Sequence, residues 1–240
     1  MTALPRLTIA CLGAGRMGRG IAVAFAYAGH AVTMIDVKGR TAEQFAALEA
    51  EALGEIRKTL ASLARFGMLA ESDAEAVIAR VSVVPAQDMP AALAAAGIVF
   101  EGVPEMVDLK REVLAAASKC VGPEVIIAST TSTILVDDIS GSVDLHRRFL
   151  NVHWLNPAYL IPLVEISPGA ATDPDITAQV KALLEGIGKV PVVCAATPGF
   201  IVPRIQALAM NEAARMVEEG VASPEDIDRA IATASDSATP

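Results

Sequence analysis

The first forty residues constrain this chain more than any other part of it. A short apolar run, LTIACL (7–12), leads into GAGRMG (13–18) and then into GIAVAFAYAGH, a segment of helix formers that closes near Gly29. A second apolar run, AVTMID (31–36), ends in an acid. Strand, glycine turn, helix and strand in that order make a βαβ unit. The turn itself reads G-x-G-x-x-G. Gly13 permits the tight bend, Gly15 lets backbone amides approach a pyrophosphate, and Gly18 lets the helix lie close to the strand. Phosphates there would sit at the positive end of the helix dipole. Gly13, Ala14, Gly15, Arg16, Met17 and Gly18 are therefore read as a dinucleotide-binding loop. Asp36 stands 21 residues after Gly15, where an acid accepts from the ribose 2′-hydroxyl. A carboxylate repels a 2′-phosphate, so the cofactor expected is NAD rather than NADP. Lys38 and Arg40 are close enough to soften that preference, although solvated loop charges are the simpler reading of both.

The rest of the chain continues the alternation. Residues 41–66 lack proline and set Phe45, Leu48, Leu53, Ile56, Leu60 and Leu63 on one helical face. A shorter helix is predicted over 72–80, with Ser72 as its N-cap. VSVV (81–84), GIVFEG (97–102) and EVIIAS (124–129) alternate with alanine-rich helical stretches, which predicts a parallel sheet with helices on both faces. Beyond Ser129, RRFLNVH (147–153) and LIPLVEI (160–166) read as neighbouring strands, and Pro162 places the second at an edge. Asp173-Pro174 opens a helix that ends near Gly188, and VPVVC (190–194) is a last strand. From Thr197 the chain reads as helix. Ser223-Pro224-Glu225-Asp226 has the pattern of a helix start, and the small polar end ATASDSATP is expected to fray. The fold class is α/β, a Rossmann-type doubly wound, mainly parallel sheet over 1–195, followed by an all-helical segment over 196–240.

Composition removes several function classes. The chain has 240 residues, a formal net charge of -9 and 53% hydrophobic residues, enough to build a sizeable core. Its acidic balance argues against nucleic acid as a main partner. No apolar run approaches the roughly 18 residues that cross a bilayer, and MTALPRLTIACLGAG lacks the features of a signal peptide, so no membrane partner is expected. Cys11, Cys120 and Cys194 are far apart, which suggests buried thiols in a reducing cytoplasm. Neither they nor His30, His146 and His153 have ligand spacing, so no metal is expected.

Five blocks, in order and covering almost the whole chain, resemble the 3-hydroxyacyl-CoA dehydrogenase family, which includes the 3-hydroxybutyryl-CoA enzymes, the lambda-crystallins and the carnitine dehydrogenases. They are GAGRMGRGIA (13–22), FEGVPEMVDLKREV (100–113), STTSTI (129–134), NVHWLNPAYLIPLVEISPG (151–169) and TPGFIVPRI (197–205). The resemblance implies that His153 is the catalytic histidine, Glu165 its paired glutamate, and Ser132 the serine that contacts substrate and cofactor. It places Asn156 on the active-site asparagine, and Glu105 and Lys110 on the acid and lysine that contact the cofactor. The chemistry is consistent. Oxidising a secondary alcohol needs a base for the proton and a nicotinamide for the hydride. Histidine ordinarily titrates near neutrality, and a carboxylate on its other nitrogen fixes the tautomer. Trp154 is read as packing.

Two features depart from the family pattern. Pro203 stands where the family has asparagine, which removes a polar side chain from the implied active site. The C-terminal domain is also shorter than the family's, a truncated helical domain in which Ile201, Ile205, Leu208, Met216 and Val217 form an apolar stripe. That stripe is expected to be covered by a second subunit or refolded locally, and a homo-oligomer, a dimer, is the assembly expected. The leading reading is NAD-dependent oxidation of (S)-3-hydroxyacyl-CoA. A second is a dehydrogenase of a free 3-hydroxy acid of the carnitine or polyol-acid type, because NPAYLIPLVE is closer to that branch. CoA recognition would call on Arg57, Lys58 and Arg65, which a solvated helix face explains equally well. A third is an NAD-binding homologue with impaired turnover.

Overall fold

The apolar runs become the strands of one sheet, and the alanine-rich stretches between them become the helices that cover it. The computed structural model describes residues 6–236. In chain order the elements are β1 (Thr8–Leu12), α1 (Arg16–Tyr27), β2 (Ala31–Ile35), α2 (Ala42–Arg65), α3 (Ala74–Ile78), β3 (Val81–Val84), α4 (Met89–Ala94), β4 (Ile98–Glu101), α5 (Val107–Ser118), β5 (Ile126–Ser129) and α6 (Val136–Ser140). There follow β6 (Phe149–Trp154), β7 (Leu163–Pro168), α7 (Pro174–Gly186), β8 (Val190–Val193), α8 (Val202–Glu218) and α9 (Pro224–Asp236).

The sheet order is β3-β2-β1-β4-β5-β6-β7-β8. Pairing is parallel from β3 across to β6, β7 runs antiparallel to β6, and β8 is parallel to β7. The winding direction reverses between β1 and β4, which opens a crevice at the carboxyl ends of the strands. Period-two alternation sends Ile9 and Cys11 of β1 to one face and Ala10 and Leu12 to the other, and all four are buried. The first face is covered by α1, α2, α3 and α7, the second by α4, α5 and α6. This is the Rossmann-type, mainly parallel architecture. Each fully buried Ile or Phe in these two layers contributes about 1.5–3 kcal/mol. Chain contacts divide the molecule after Thr197, and the described residues of the second unit, from Pro198 on, contain α8 and α9.

Five local expectations are corrected. Pro162 does not mark an edge strand: β7 lies between β6 and β8. Pro162 precedes the strand and joins the ladder only through its carbonyl, which accepts from Val190 N at 2.8 Å, so its missing N–H costs nothing. Ser72 is not an N-cap. It lies inside a 3-10 turn, Glu71–Asp73, and α3 begins only at Ala74. Helix does not start at Thr197, because Gly199 (φ +75°) and Phe200 (φ +44°) hold left-handed backbone before α8. Residues 232–236 of ATASDSATP do not fray, since α9 continues to Asp236; residues 237–240 lie outside the described residues. Of the three thiols only Cys11 is buried, and Cys120 and Cys194 are half-buried.

Candidate active site

The glycine turn works by geometry that can be checked atom by atom. Gly13 has φ +107°, and its N–H donates to the Ile35 carbonyl at 2.8 Å, closing the turn onto β2. A Cβ at Gly18 would fall 2.1 Å from the Gly13 carbonyl oxygen, so only glycine fits. A Cβ at Gly15 would meet nothing within 4 Å. Gly15 is the N-cap of α1, yet no side chain caps that helix and no acid sits in its first turn. The first amides of α1 therefore keep their unpaired hydrogens and partial positive charge over open space. That cradle fits a pyrophosphate, and hence a dinucleotide such as NAD. Arg19 fastens it from behind: Nε donates to the Ala14 carbonyl at 2.8 Å, and the guanidinium pairs with Glu51 at 3.0 Å and Glu55 at 2.5 Å on α2.

Asp36 follows β2, and its backbone N–H donates to the Val84 carbonyl at 2.9 Å. Its carboxylate is buried and already engaged. Arg40 Nε donates to Oδ2 at 2.6 Å, and the Lys38 amide donates to Oδ1 at 3.3 Å. Arg40 is thus a partner of Asp36 and not a solvated loop charge.

His153 and Glu165 lie directly opposite each other in the β6–β7 register. His153 Nδ1 and Glu165 Oε2 are 2.7 Å apart, and both residues are buried. A carboxylate can only accept, so Nδ1 carries the proton and Nε2 is the basic nitrogen. The Cys194 thiol is pushed up by burial and, after that, by the charge of Glu165.

A second polar group is built on β4 and β5. Glu101 and Ser129, paired in register, end their strands side by side. Ser129 Oγ donates to Glu101 Oε2 at 2.6 Å, and Lys110 Nζ donates to Oε1 at 2.9 Å, to Oε2 at 3.1 Å and to the Val103 carbonyl at 3.3 Å. Glu105 then gathers the loop after β5. Its Oε1 accepts from Thr131 Oγ1, from the amides of Ser132 (2.9 Å) and Thr133 (3.0 Å), and from Thr133 Oγ1 (3.1 Å). Burial pushes the Glu105 carboxyl up, but Thr131, the Lys110 charge and the two amides outweigh it and hold the group below the ordinary range. Asn151 Nδ2 donates to the Ile134 carbonyl at 2.9 Å and ties the same loop to β6.

The expected site residues are thus distributed in four places. Gly13 to Gly18 and Asp36 form the nucleotide end. His153 and Glu165 are brought together. Ser132 is exposed on the loop that Glu105 organises, and its amide donates to that carboxylate. Lys110 is only 1% exposed, and its ammonium donates to Glu101 and the Val103 carbonyl and lies 3.4 Å from Glu105. Asn156 is exposed and lines a cleft of about 340 Å³ with Arg16, Arg19 and Tyr159. Lys189, which composition did not single out, pins the loop after Asn156: it donates to the Ala158 carbonyl at 2.6 Å and to the Ile161 carbonyl at 2.9 Å. Its ammonium also lies 5.7 Å over the buried Trp154 ring, and burial lowers its pKa. Glu101 was overlooked as well; the signal was an acid closing an otherwise apolar strand nine residues before a lysine. Arg57 and Arg65 line a groove of α2 and α3 together with Glu71 and Glu75, so its charge is balanced.

Comparison with known proteins gives this geometry a context. Residues 8–197 match the family model of the 3-hydroxyacyl-CoA dehydrogenase NAD binding domain, and residues 199–236 match that of the C-terminal domain. The 3-hydroxyadipyl-CoA dehydrogenase of Escherichia coli (strain K12) is 34% identical over 224 residues, which is 93% of this chain and 45% of that protein. This chain therefore spans less than half the length of that relative. The 5-formyl-3-hydroxy-2-methylpyridine 4-carboxylate 5-dehydrogenase of Mesorhizobium japonicum is 31% identical over 93% of this chain and 69% of its own length. The crystal structure of (S)-3-hydroxybutyryl-CoA dehydrogenase from Ralstonia eutropha superposes with a TM-score of 0.83 at 34% identity, covering 92% of this chain and 75% of that one. With the glycine cradle in place and the NAD binding domain model matching residues 8–197, the chain belongs to the 3-hydroxyacyl-CoA dehydrogenase family.

Proposed function

We propose that this chain oxidises (S)-3-hydroxyacyl-CoA to 3-oxoacyl-CoA with NAD. The observation that carries the reading is the buried His153–Glu165 pair at 2.7 Å, on the same sheet as the uncapped glycine turn. In this reading His153 Nε2 takes the proton of the substrate hydroxyl. Glu165 holds the ring by its Nδ1–H and stabilises the imidazolium as it forms. NAD, when bound, accepts the hydride. Ser132 meets substrate and cofactor from the loop that Glu105 organises, and Asn156 orients the substrate. Pro203 sits in the first turn of α8, where a proline is tolerated, and the site works without an amide side chain there. The homo-oligomer implied by the apolar face of α8, a dimer, belongs to the same proposal.

The test is NADH oxidation with acetoacetyl-CoA, followed at 340 nm. Turnover that vanishes in His153→Ala, while NADH still binds, supports the reading. A specific observation favours a second one: Arg16 stands in the cleft beside Asn156, where it can meet a substrate carboxylate, and one relative is named for a pyridine carboxylate. Turnover of free 3-hydroxy acids with none on acyl-CoA thioesters selects that reading. NADH binding without turnover of either class selects a homologue that has lost its chemistry.

A further inference from the structure

We propose that Arg40 is a cofactor-specificity residue that lets this site take the 2′-phosphate of NADP as well as the bare ribose of NAD. The inference rests on the nucleotide-site reading above and extends it. An acid after the second strand ordinarily excludes NADP, because its charge repels the phosphate. Here the acid is not bare. Arg40 Nε donates to Asp36 Oδ2 at 2.6 Å, and the Asp36 carboxylate is otherwise buried. Charge at this end of the site is therefore balanced before any nucleotide arrives.

Both halves of the pair are held in place. The Asp36 amide is anchored to Val84 of β3. Residue 41, next to Arg40, is the N-cap of α2: Thr41 Oγ1 accepts from the Gln44 amide at 3.3 Å, and Gln44 Oε1 accepts from the Thr41 amide at 3.1 Å. Arg40 thus projects from four residues of loop fixed at either end.

The pair uses one of the five N–H donors of the guanidinium fork. The two terminal nitrogens, with four donors, suit a phosphate in the bidentate geometry that arginine favours. Lys38 is exposed in the same loop and adds a second positive charge. For NAD the arrangement works the other way. The ribose hydroxyls must donate to Asp36, and Arg40 competes for Oδ2. Arg40 therefore favours the phosphorylated cofactor and opposes the other at the same atom.

Calorimetric titration with NADH and with NADPH tests this without relying on turnover. The wild-type chain is expected to bind both, within about tenfold of each other. Arg40→Gln should weaken NADPH by about 10- to 100-fold, the worth of a charge-assisted hydrogen bond, and leave NADH unchanged or tighter. Arg40→Lys, which keeps the charge and loses the fork, should fall between. Binding of NADH alone by the wild type overturns this inference and leaves the nucleotide site intact, as does an equal loss of both cofactors in Arg40→Gln. Failure to bind either dinucleotide overturns both readings together.

Discussion

A histidine serves as a base only when something decides which of its nitrogens is basic. Here a carboxylate 2.7 Å from Nδ1 makes that decision. Glu165→Gln keeps the size of the side chain but adds an N–H donor, which can bond a deprotonated Nδ1 and send the ring proton to Nε2. We expect kcat to fall by about 10²–10⁴-fold with little change in NADH affinity; stopped-flow turnover beside a binding titration separates the two. Glu105 gives a pH prediction whose sign follows from its lowered pKa. Its folded-state pKa lies below that of the unfolded chain. The stability it supplies is complete above the ordinary glutamate range and is lost as pH falls through the depressed value. Acid unfolding should therefore begin later in Glu105→Gln relative to its own neutral-pH stability, since that variant has no charge to lose; melts from neutral pH downward read this directly. Lys110 shows what a residue-by-residue reading of the sequence leaves out. The resemblance implies that it contacts the cofactor, but a motif carries no depth, and the packed structure reveals an ammonium sealed against Glu101.

Elements were easier to read than their ends. The βαβ start, the parallel alternation and α2 follow directly from period and glycine placement, because a strand buried on both faces must be continuously apolar and a half-buried helix must be striped. Pro162 misled because a missing N–H matters only inside a ladder, and its position just outside β7 was not visible in composition. The inward turn of Arg40 was equally hidden, since a charged loop residue reads as solvated until its partner is located. The glycine turn yields a paired prediction at this scale. Gly18→Ala drives a methyl into the Gly13 carbonyl at 2.1 Å and should cost about 1–3 kcal/mol of stability along with cofactor binding. Gly15→Ala adds a methyl where nothing lies within 4 Å, on extended backbone that alanine accepts. It should leave the melting temperature unchanged while weakening NADH, because the methyl enters the space the pyrophosphate needs. If both variants melted alike and bound alike, the cradle would be a packing device and no more.

At the scale of the whole molecule, the second unit carries apolar side chains that its own fold does not cover. On α8, Ile205 is 60% exposed and Leu208 66%, three residues apart and hence on one face. Val217 and, just beyond the helix, Val221 are also exposed. Apolar surface of this kind is costly in water, at roughly 25 cal/mol for each Å² left uncovered, and a contiguous patch on a soluble domain ordinarily marks a contact. The sequence signalled this stripe through its period, but period alone says nothing about what lies over it. The chain as given should therefore either self-associate or bind a hydrophobic dye. Ile205→Glu combined with Leu208→Glu should abolish whichever of these is seen, by sedimentation velocity and dye fluorescence. Both positions are exposed, so the double variant should keep its fold. Because residues 8–197 match the cofactor-binding family model by themselves, NADH affinity should not change in that variant. A wild-type chain that sediments as a monomer and leaves the dye dark would show that α8 needs no cover, and the dimer proposal would fall with it.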